Sequence, residues 1–338
     1  MKVKYAIVGC GRIAWNHLDG IEKSNSSVLC AVCDIDEAKA RETGEKYGVN
    51  WYTDEAEMLE KEKIDVCCIL TPSGLHAECG IIAAEHGVHV LCEKPMDVTR
   101  EKMKALIDSC KKNGVKLGCI FQRRTFSAAI AMKKAVEDGV FGKVTLCDAY
   151  LKYYRDQAYY DSGDWRGTWE LDGGGALMNQ GIHGVDLIDW MTGGIKSVFA
   201  RCERLNWKTD VEDTAVIMVR YKNGAMGVIE CATTVYPGLD TVFTIGGTEG
   251  FAEIGNKGIY KWEMKDKSIE KPETTGTMGG LNCTYTDNLH AYQIEDMSRA
   301  ILDNRDPMVT GEQALHSVGL ILAIYESART GKEVFIED

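Results

Sequence analysis

The chain has 338 residues, 45% of them apolar, with 51 acidic against 39 basic side chains for a formal charge of -12. That length calls for two domains with a core each, and the acidic balance opposes nucleic acid or an anionic membrane as a partner. No stretch reaches the roughly 18 uninterrupted apolar residues of a membrane span, and no signal-like segment precedes the first apolar run, so a cytoplasmic protein is expected.

That first run, residues 3–8, breaks at Gly9-Cys10-Gly11-Arg12-Ile13-Ala14 and leads into a helix. A strand that turns through two glycines into a helix presents backbone N–H groups to a pyrophosphate. Gly9 allows the tight turn, Gly11 keeps a side chain away from the phosphates, and Ala14 lets helix and strand approach; Arg12 and Ile13 complete the expected cofactor contacts. Asp34 closes the next run, 28–33, where an acid accepts bonds from the ribose 2′- and 3′-hydroxyls. Its charge repels a 2′-phosphate, so NAD is favoured over NADP; neutral Ile35 offers no compensation, although Lys39 or Arg41 can supply some.

Further apolar runs at 66–70, 88–92 and 115–120 alternate with helical patterns at 36–47, 75–86 and 99–112. Right-handed crossovers then give a Rossmann-like parallel sheet covered on both faces. Thr71-Pro72 ends the 66–70 run at the cofactor edge, with Ser73 and His76 entering the next helix; Thr71, Pro72 and His76 are expected at the cofactor. Glu93-Lys94-Pro95 follows the 88–92 run at the same edge, where Glu93 and Lys94 face the cleft or form a surface ion pair. Of the 13 cysteines most lie in apolar runs; Cys30 and Cys33 point to opposite faces of a strand, so no metal site is expected.

After Arg124 the rhythm changes. A helix at 127–138 and a strand at 144–152 precede an aromatic, glycine-rich stretch through Gly175, then a helix at 180–190. Segments 198–202, 214–221, 225–234 and 241–245 alternate at strand period with brief turns such as Lys222-Asn223-Gly224. Residues 265–278 read as an exposed loop, 288–302 and 311–330 as helices, and 334–336 as a last strand. The expected division is 1–123 for dinucleotide binding and 124–338 for substrate binding and oligomerisation, the latter an α+β domain with an open, mainly antiparallel sheet.

Within 171–186, three consecutive glycines let a backbone pass close to a ligand, and Asn179 and His183 lie four apart on one helix face with Asp186 three further on. A histidine so placed is either catalytic or a packing residue. Upstream, Tyr153, Tyr154, Arg155, Tyr159, Tyr160, Trp165, Arg166 and Trp169 suit a sugar, with rings for pyranose faces and guanidinium groups for hydroxyl, carboxylate or phosphate, or else pack against one another. Arg123, Arg124 and His290 are further pocket candidates.

The glycine fingerprint, Glu93-Lys94-Pro95, Gly173-Gly174-Gly175 with His183 and Asp186, and Tyr325-Glu326-Ser327-Ala328-Arg329-Thr330-Gly331 span nearly the whole chain. On these landmarks the sequence resembles the glucose-fructose oxidoreductase, inositol 2-dehydrogenase and rhizopine-catabolism (Gfo/Idh/MocA) family of NAD(P)-dependent oxidoreductases. The resemblance implies action on polyols or on free, glycosidic or nucleotide-linked sugars, and a homodimer or homotetramer formed through the C-terminal sheet. It gives Lys94 contact with the reacting hydroxyl and the nicotinamide region, and gives His183 the proton exchange. Asn179 stands where many members carry aspartate; it can orient an alcohol but lacks the charge that raises a histidine pKa, and this form resembles nucleotide-sugar and glycoside oxidoreductases. Trp165 and Arg166 become a wall shared by cofactor and substrate, with Arg123, Tyr154, Arg155 and His290 on the substrate side. The implied reaction is oxidation of a secondary ring hydroxyl to a ketone, with carbon-3 preferred. Redox-neutral glycoside cleavage with retained NAD, and a non-catalytic sugar or nucleotide sensor, are the alternatives.

Overall fold

The opening apolar run forms strand β1 (Val3–Val8), buried at every position except Lys4, as the middle of a two-sided parallel sheet requires. The structure, a computed structural model, describes residues 2–276 and 288–336; the end of the loop expected at 265–278 lies outside the described residues. The chain divides into two units, residues 1–122 with 288–316 and residues 123–287 with 317–338.

In the first unit β1 is joined by β2 (Ser27–Cys33), β3 (Asn50–Tyr52), β4 (Val66–Ile69), β5 (His89–Cys92) and β6 (Leu117–Cys119), all parallel, in the order β3-β2-β1-β4-β5-β6. The order reverses between β1 and β4, so the carboxyl ends of these strands border the crevice in which such sheets bind ligands. Helices Ala14–Lys23, Glu37–Tyr47, Glu55–Lys61, His76–Glu85 and Arg100–Lys112 make the connections. Asp36, Asp54 and Thr99 cap three of them by accepting N–H groups of the first turn.

The sequence division at 123/124 is corrected by the segment 288–316, which packs with the first unit. Helix Leu289–Leu302 buries Ile294 and Met297 among Val3, Tyr5, Leu18 and Ile21, and the Tyr5 hydroxyl donates to the Ile294 carbonyl at 3.0 Å. An apolar helix stripe declares that it is buried; it does not declare against what.

The second unit holds an eight-stranded sheet of β7 (Val144–Lys152), β8 (Ile195–Glu203), β9 (Thr214–Tyr221), β10 (Met226–Ala232), β11 (Val242–Gly247), β12 (Gly250–Gly255), β13 (Gly258–Met264) and β14 (Val334–Phe335). Its order is β13-β12-β11-β7-β10-β9-β8-β14, with β7 and β10 parallel and every other pair antiparallel. Along β9 burial alternates: Ala215, Ile217, Val219 and Tyr221 face the core, while Val216 and Met218 remain exposed. Helix Ile182–Thr192 is buried at every position except Trp190 and lies against β7, Gly184 meeting Leu151. Among the described residues no helix is long and apolar enough to cross a membrane.

Candidate active site

In the first unit the fingerprint turn sits at the β1/β4 reversal. Gly9 has φ +103°, and a Cβ there would lie 2.7 Å from the Leu70 carbonyl oxygen, so only glycine fits. A Cβ on Gly11 would meet nothing within 4 Å, leaving that side of the turn open. Asp34, at the end of β2, accepts the Cys10 N–H at 2.7 Å and the Asp36 N–H at 2.8 Å. Both carboxylate oxygens keep lone pairs for a ribose diol. Lys39 pairs with Asp36 at 3.0 Å and Arg41 lies 3.9 Å from Glu37, so the cations that can answer a 2′-phosphate are matched on their own helix.

Two residues expected at the cofactor are hydrogen-bonded within the protein. His76 is 2% exposed, with Nδ1 2.7 Å from the Pro95 carbonyl oxygen and Nε2 2.8 Å from that of Thr71. It ties the turn after β4 to the turn after β5, and burial lowers its pKa against the pull of those carbonyls. Glu93 is 4% exposed; its Oε1 lies 2.9 Å from His17 Nε2 and 3.3 Å from His290 Nε2, while Oε2 accepts the Lys94 N–H at 3.1 Å. Burial opposes ionisation here, yet the two imidazoles hold Glu93 well below the carboxylate range. His290 is thus 5% exposed beside Glu93, in the first unit.

The ligand atoms of His17, Glu93 and His290 lie within 4.8 Å of one another, a donor set that suits a divalent cation. The short His17–Glu93 hydrogen bond accounts for their proximity without one. Sequence reasoning passed over His17, although Ala14, His17, Leu18 and Ile21 sit at core spacing on one helix face. Lys94 follows this clamp and is the one residue of 90–98 that is not buried. The Lys94–Pro95 peptide is cis.

In the second unit the glycine run leads into a π-helical turn, Ala176–Gly181, and then helix Ile182–Thr192, so the helix expected from 180 begins earlier and with a wider turn. Glu212 anchors that turn: it accepts the Gly175 N–H at 2.9 Å, the Leu177 N–H at 2.8 Å and the Tyr325 hydroxyl at 3.0 Å. A Cβ on Gly175 would fall 1.7 Å from the Glu212 carbonyl oxygen, which is why glycine stands there. Burial pushes the Glu212 carboxyl up to about 7 against these donors. Asn179 is the one residue of 172–189 that is not buried, and His183 is 8% exposed. The Asn179 side chain donates to Asp172 Oδ1 at 2.8 Å. Asp186 is occupied structurally, by Arg124 from two nitrogens and by the Ser317 hydroxyl.

Arg155, Trp165 and Arg166 gather about Tyr159. The Arg166 guanidinium lies 4.7 Å from the Tyr159 ring and 4.3 Å from the Trp165 ring, that of Arg155 4.8 Å from Tyr159, and Arg166 and Gln180 both donate to the Tyr159 hydroxyl at 2.9 Å. Tyr159 is thereby joined to the π turn through Gln180. Arg123 is buried and donates to the Tyr153 and Thr241 hydroxyls, while Tyr154 packs edge-on against Tyr236 and Trp207. A cavity of about 720 Å³ opens beside Arg166, lined also by Thr168, Arg204, Trp207 and Lys208; Asn179 and His183 do not line it.

Residues 3–121 match the oxidoreductase family model with an NAD-binding Rossmann fold, and residues 129–253 match the GFO/IDH/MocA C-terminal domain. Among solved structures the chain is similar to the WlbA dehydrogenase of Bordetella pertussis in complex with NADH and UDP-GlcNAcA, at 32% identity, 100% coverage of both chains and a TM-score of 0.89. The Chromobacterium violaceum WlbA dehydrogenase, in complex with the same two ligands, is 33% identical over 99% of this chain and 96% of that one, with a TM-score of 0.89. Among curated proteins the D-glucoside 3-dehydrogenase of Escherichia coli is 28% identical over 98% of this chain and 97% of its own length.

Proposed function

Since the chain belongs to the GFO/IDH/MocA family of NAD-dependent oxidoreductases acting on CH–OH groups, we propose that it oxidises carbon-3 of the sugar ring in a nucleotide-linked sugar acid. The observation that carries this reading is the anchored π turn, which leaves Asn179 open one helical step before buried His183. It stands in a chain that is similar over its whole length to two dehydrogenases captured with UDP-GlcNAcA. Carbon-3 is supported by the likeness to a D-glucoside 3-dehydrogenase.

The residues present fit a dinucleotide: Gly9 and Gly11 keep the turn after β1 clear of side chains, and Asp34 offers acceptors to the adenosine ribose. Arg12, Ile13, Thr71 and Pro72 complete this edge of the sheet. Bound NAD supplies the two-electron acceptor for the carbon-bound hydrogen. His183 takes the hydroxyl proton as general base. The Lys94 ammonium polarises the oxygen and stabilises the developing alkoxide, and Asn179 fixes the direction of the hydroxyl. Arg155, Trp165 and Arg166, held about Tyr159, supply stacking surface and cations for the sugar and its anionic groups.

A homodimer or homotetramer through the sheet belongs to the same reading. Val216 and Met218 of β9, Met226 of β10 and Leu146 of β7 are each at least half exposed on paired strands, a patch of the kind that marks an association surface. The test is to incubate the protein with NAD and, separately, UDP-GlcNAcA, UDP-GlcNAc, methyl glucoside and myo-inositol, then to analyse products by mass. A product two hydrogens lighter from UDP-GlcNAcA, with its ketone at carbon-3, is expected. Oxidation of myo-inositol alone, or of a different ring carbon, would overturn the assignment.

A further inference from the structure

Arg155 and Arg166 flank one ring. Their guanidinium groups lie 4.8 and 4.7 Å from the centroid of Tyr159, and two like charges so placed repel unless something of opposite sign answers them. The chain carries a formal charge of -12, and nearby cations are answered: Arg124 pairs with Asp186, and Lys152 with Glu230 at 2.8 Å. Neither Arg155 nor Arg166 pairs with a carboxylate among the described residues. Asp156, next to Arg155 in sequence, caps the short helix Gln157–Tyr160 by accepting the Tyr159 N–H at 2.9 Å.

The two arginines differ in what they leave open. Arg166 donates to the Tyr159 hydroxyl at 2.9 Å, rests against the Trp165 ring and borders the cavity of about 720 Å³. Arg155 is half-buried and does not border that cavity. Its Nε is covered without a hydrogen-bond partner, and its terminal nitrogens find no acceptor among the described residues. A guanidinium carries five N–H donors, and leaving them all unanswered in a half-buried setting points to a ligand that supplies the acceptors.

We propose that Arg155 is the residue that selects sugar acids: its two terminal nitrogens take the ring carboxylate of the substrate as a fork, beside Tyr159. The planar guanidinium matches the two oxygens of a carboxylate. Tyr159 is joined through Gln180 to the turn that carries Asn179, so the fork and the residue assigned to the reacting hydroxyl serve one sugar ring. A neutral sugar leaves the fork empty and is disfavoured by its unanswered donors. The diphosphate of the same substrate is the other anion a fork can take, and the test separates the two. The inference deepens the proposed function and rests on its substrate being a sugar acid.

The test is calorimetric titration of the NADH-loaded protein with UDP-GlcNAcA, UDP-GlcNAc and UDP, for the unaltered protein, Arg155→Gln and Arg155→Lys. The unaltered protein is expected to bind the acid about tenfold or more tightly than UDP-GlcNAc. Arg155→Gln is expected to abolish that preference, weakening the acid by about tenfold or more and the other two ligands by no more than about threefold. Arg155→Lys, which keeps the charge and loses the fork, is expected to fall between. Thermal unfolding is followed for each variant, and Arg155→Lys carries the test if Arg155→Gln does not fold. Equal weakening of all three ligands would assign Arg155 to the diphosphate and overturn the proposal, as would an unaltered protein that does not prefer the acid. Oxidation of the acid with NAD is measured in parallel. A preference that depends on Arg155, in a protein that does not oxidise the acid, would remove the proposed reaction and leave the carboxylate site standing; oxidation with a preference that survives Arg155→Gln would do the reverse.

Discussion

Lys94 and Asn179 each stand partly open in a stretch that is otherwise buried, 90–98 and 172–189 respectively. Elsewhere in those stretches Glu93 is held by two imidazoles and Asp172 by an amide and a backbone N–H. Gly9 is as constrained in its own way. Gly9→Ala sets a Cβ at positive φ against the Leu70 carbonyl, and we expect a stability loss of about 1–3 kcal/mol with weakened NADH binding, read by chemical denaturation and a fluorescence titration. Glu55 makes a separate prediction. Burial, with Asp54 adding to it and Cys79 opposing, raises its carboxyl from an ordinary 4.5 to about 8. Between those values the native state holds a proton that the unfolded chain has lost, so this contribution to stability is complete below about 4.5 and is lost as pH rises through about 8. Glu55→Gln removes the titration. Its melting temperature should gain on the unaltered protein from about pH 5 to about pH 9, a gap that would stay constant if Glu55 were ionised throughout.

Elements with an uninterrupted period were legible in the sequence. Strands Val144–Lys152 and Thr214–Tyr221 and helix Gly311–Thr330 fall at the residues expected, because alternation or a helical stripe runs unbroken through each. Strands β12 and β13 were not seen: glycines bound them, and Lys261 and Glu253 put an ion pair on the edge pair they form. The wide turn at Ala176–Gly181 has no sequence period of its own. In the site, the spacing of Asn179 and His183 was legible, whereas the burial of Asp172 and Glu212 was not, since an acid reads as surface until the N–H groups that hold it are known. Glu212 tests this at the scale of the element. Glu212→Ala strips acceptors from the Gly175 and Leu177 N–H groups and from the Tyr325 hydroxyl. A loss of about 2–4 kcal/mol is expected in denaturant unfolding, with kcat falling more than NADH affinity because the nucleotide crevice lies in the other unit. Equal losses in both would contradict that separation.

Across the whole molecule, the sheet order β3-β2-β1-β4-β5-β6 sets the nucleotide crevice in one unit, and the π turn holds the residues proposed to handle the sugar in the other. The long eight-stranded sheet leaves Val216 and Met218 exposed despite a formal charge of -12, which favours burial against a second copy. Met218→Asp puts a charge at the centre of that patch. It should shift the protein towards monomer in sedimentation velocity while leaving NADH binding intact, and an unchanged oligomer would place the interface elsewhere. The central claim is that a ring carbon of a nucleotide-linked sugar acid is oxidised directly, with Lys94 and His183 at its hydroxyl. It is tested most directly with UDP-GlcNAcA deuterated at carbon-3, followed by mass analysis of the nicotinamide after incubation with the unaltered enzyme, Lys94→Met and His183→Asn. Deuterium in the reduced cofactor from the unaltered enzyme, and none from variants that still bind NADH, is the predicted result; deuterium retained in the sugar while product forms, or transferred equally well by both variants, would contradict it.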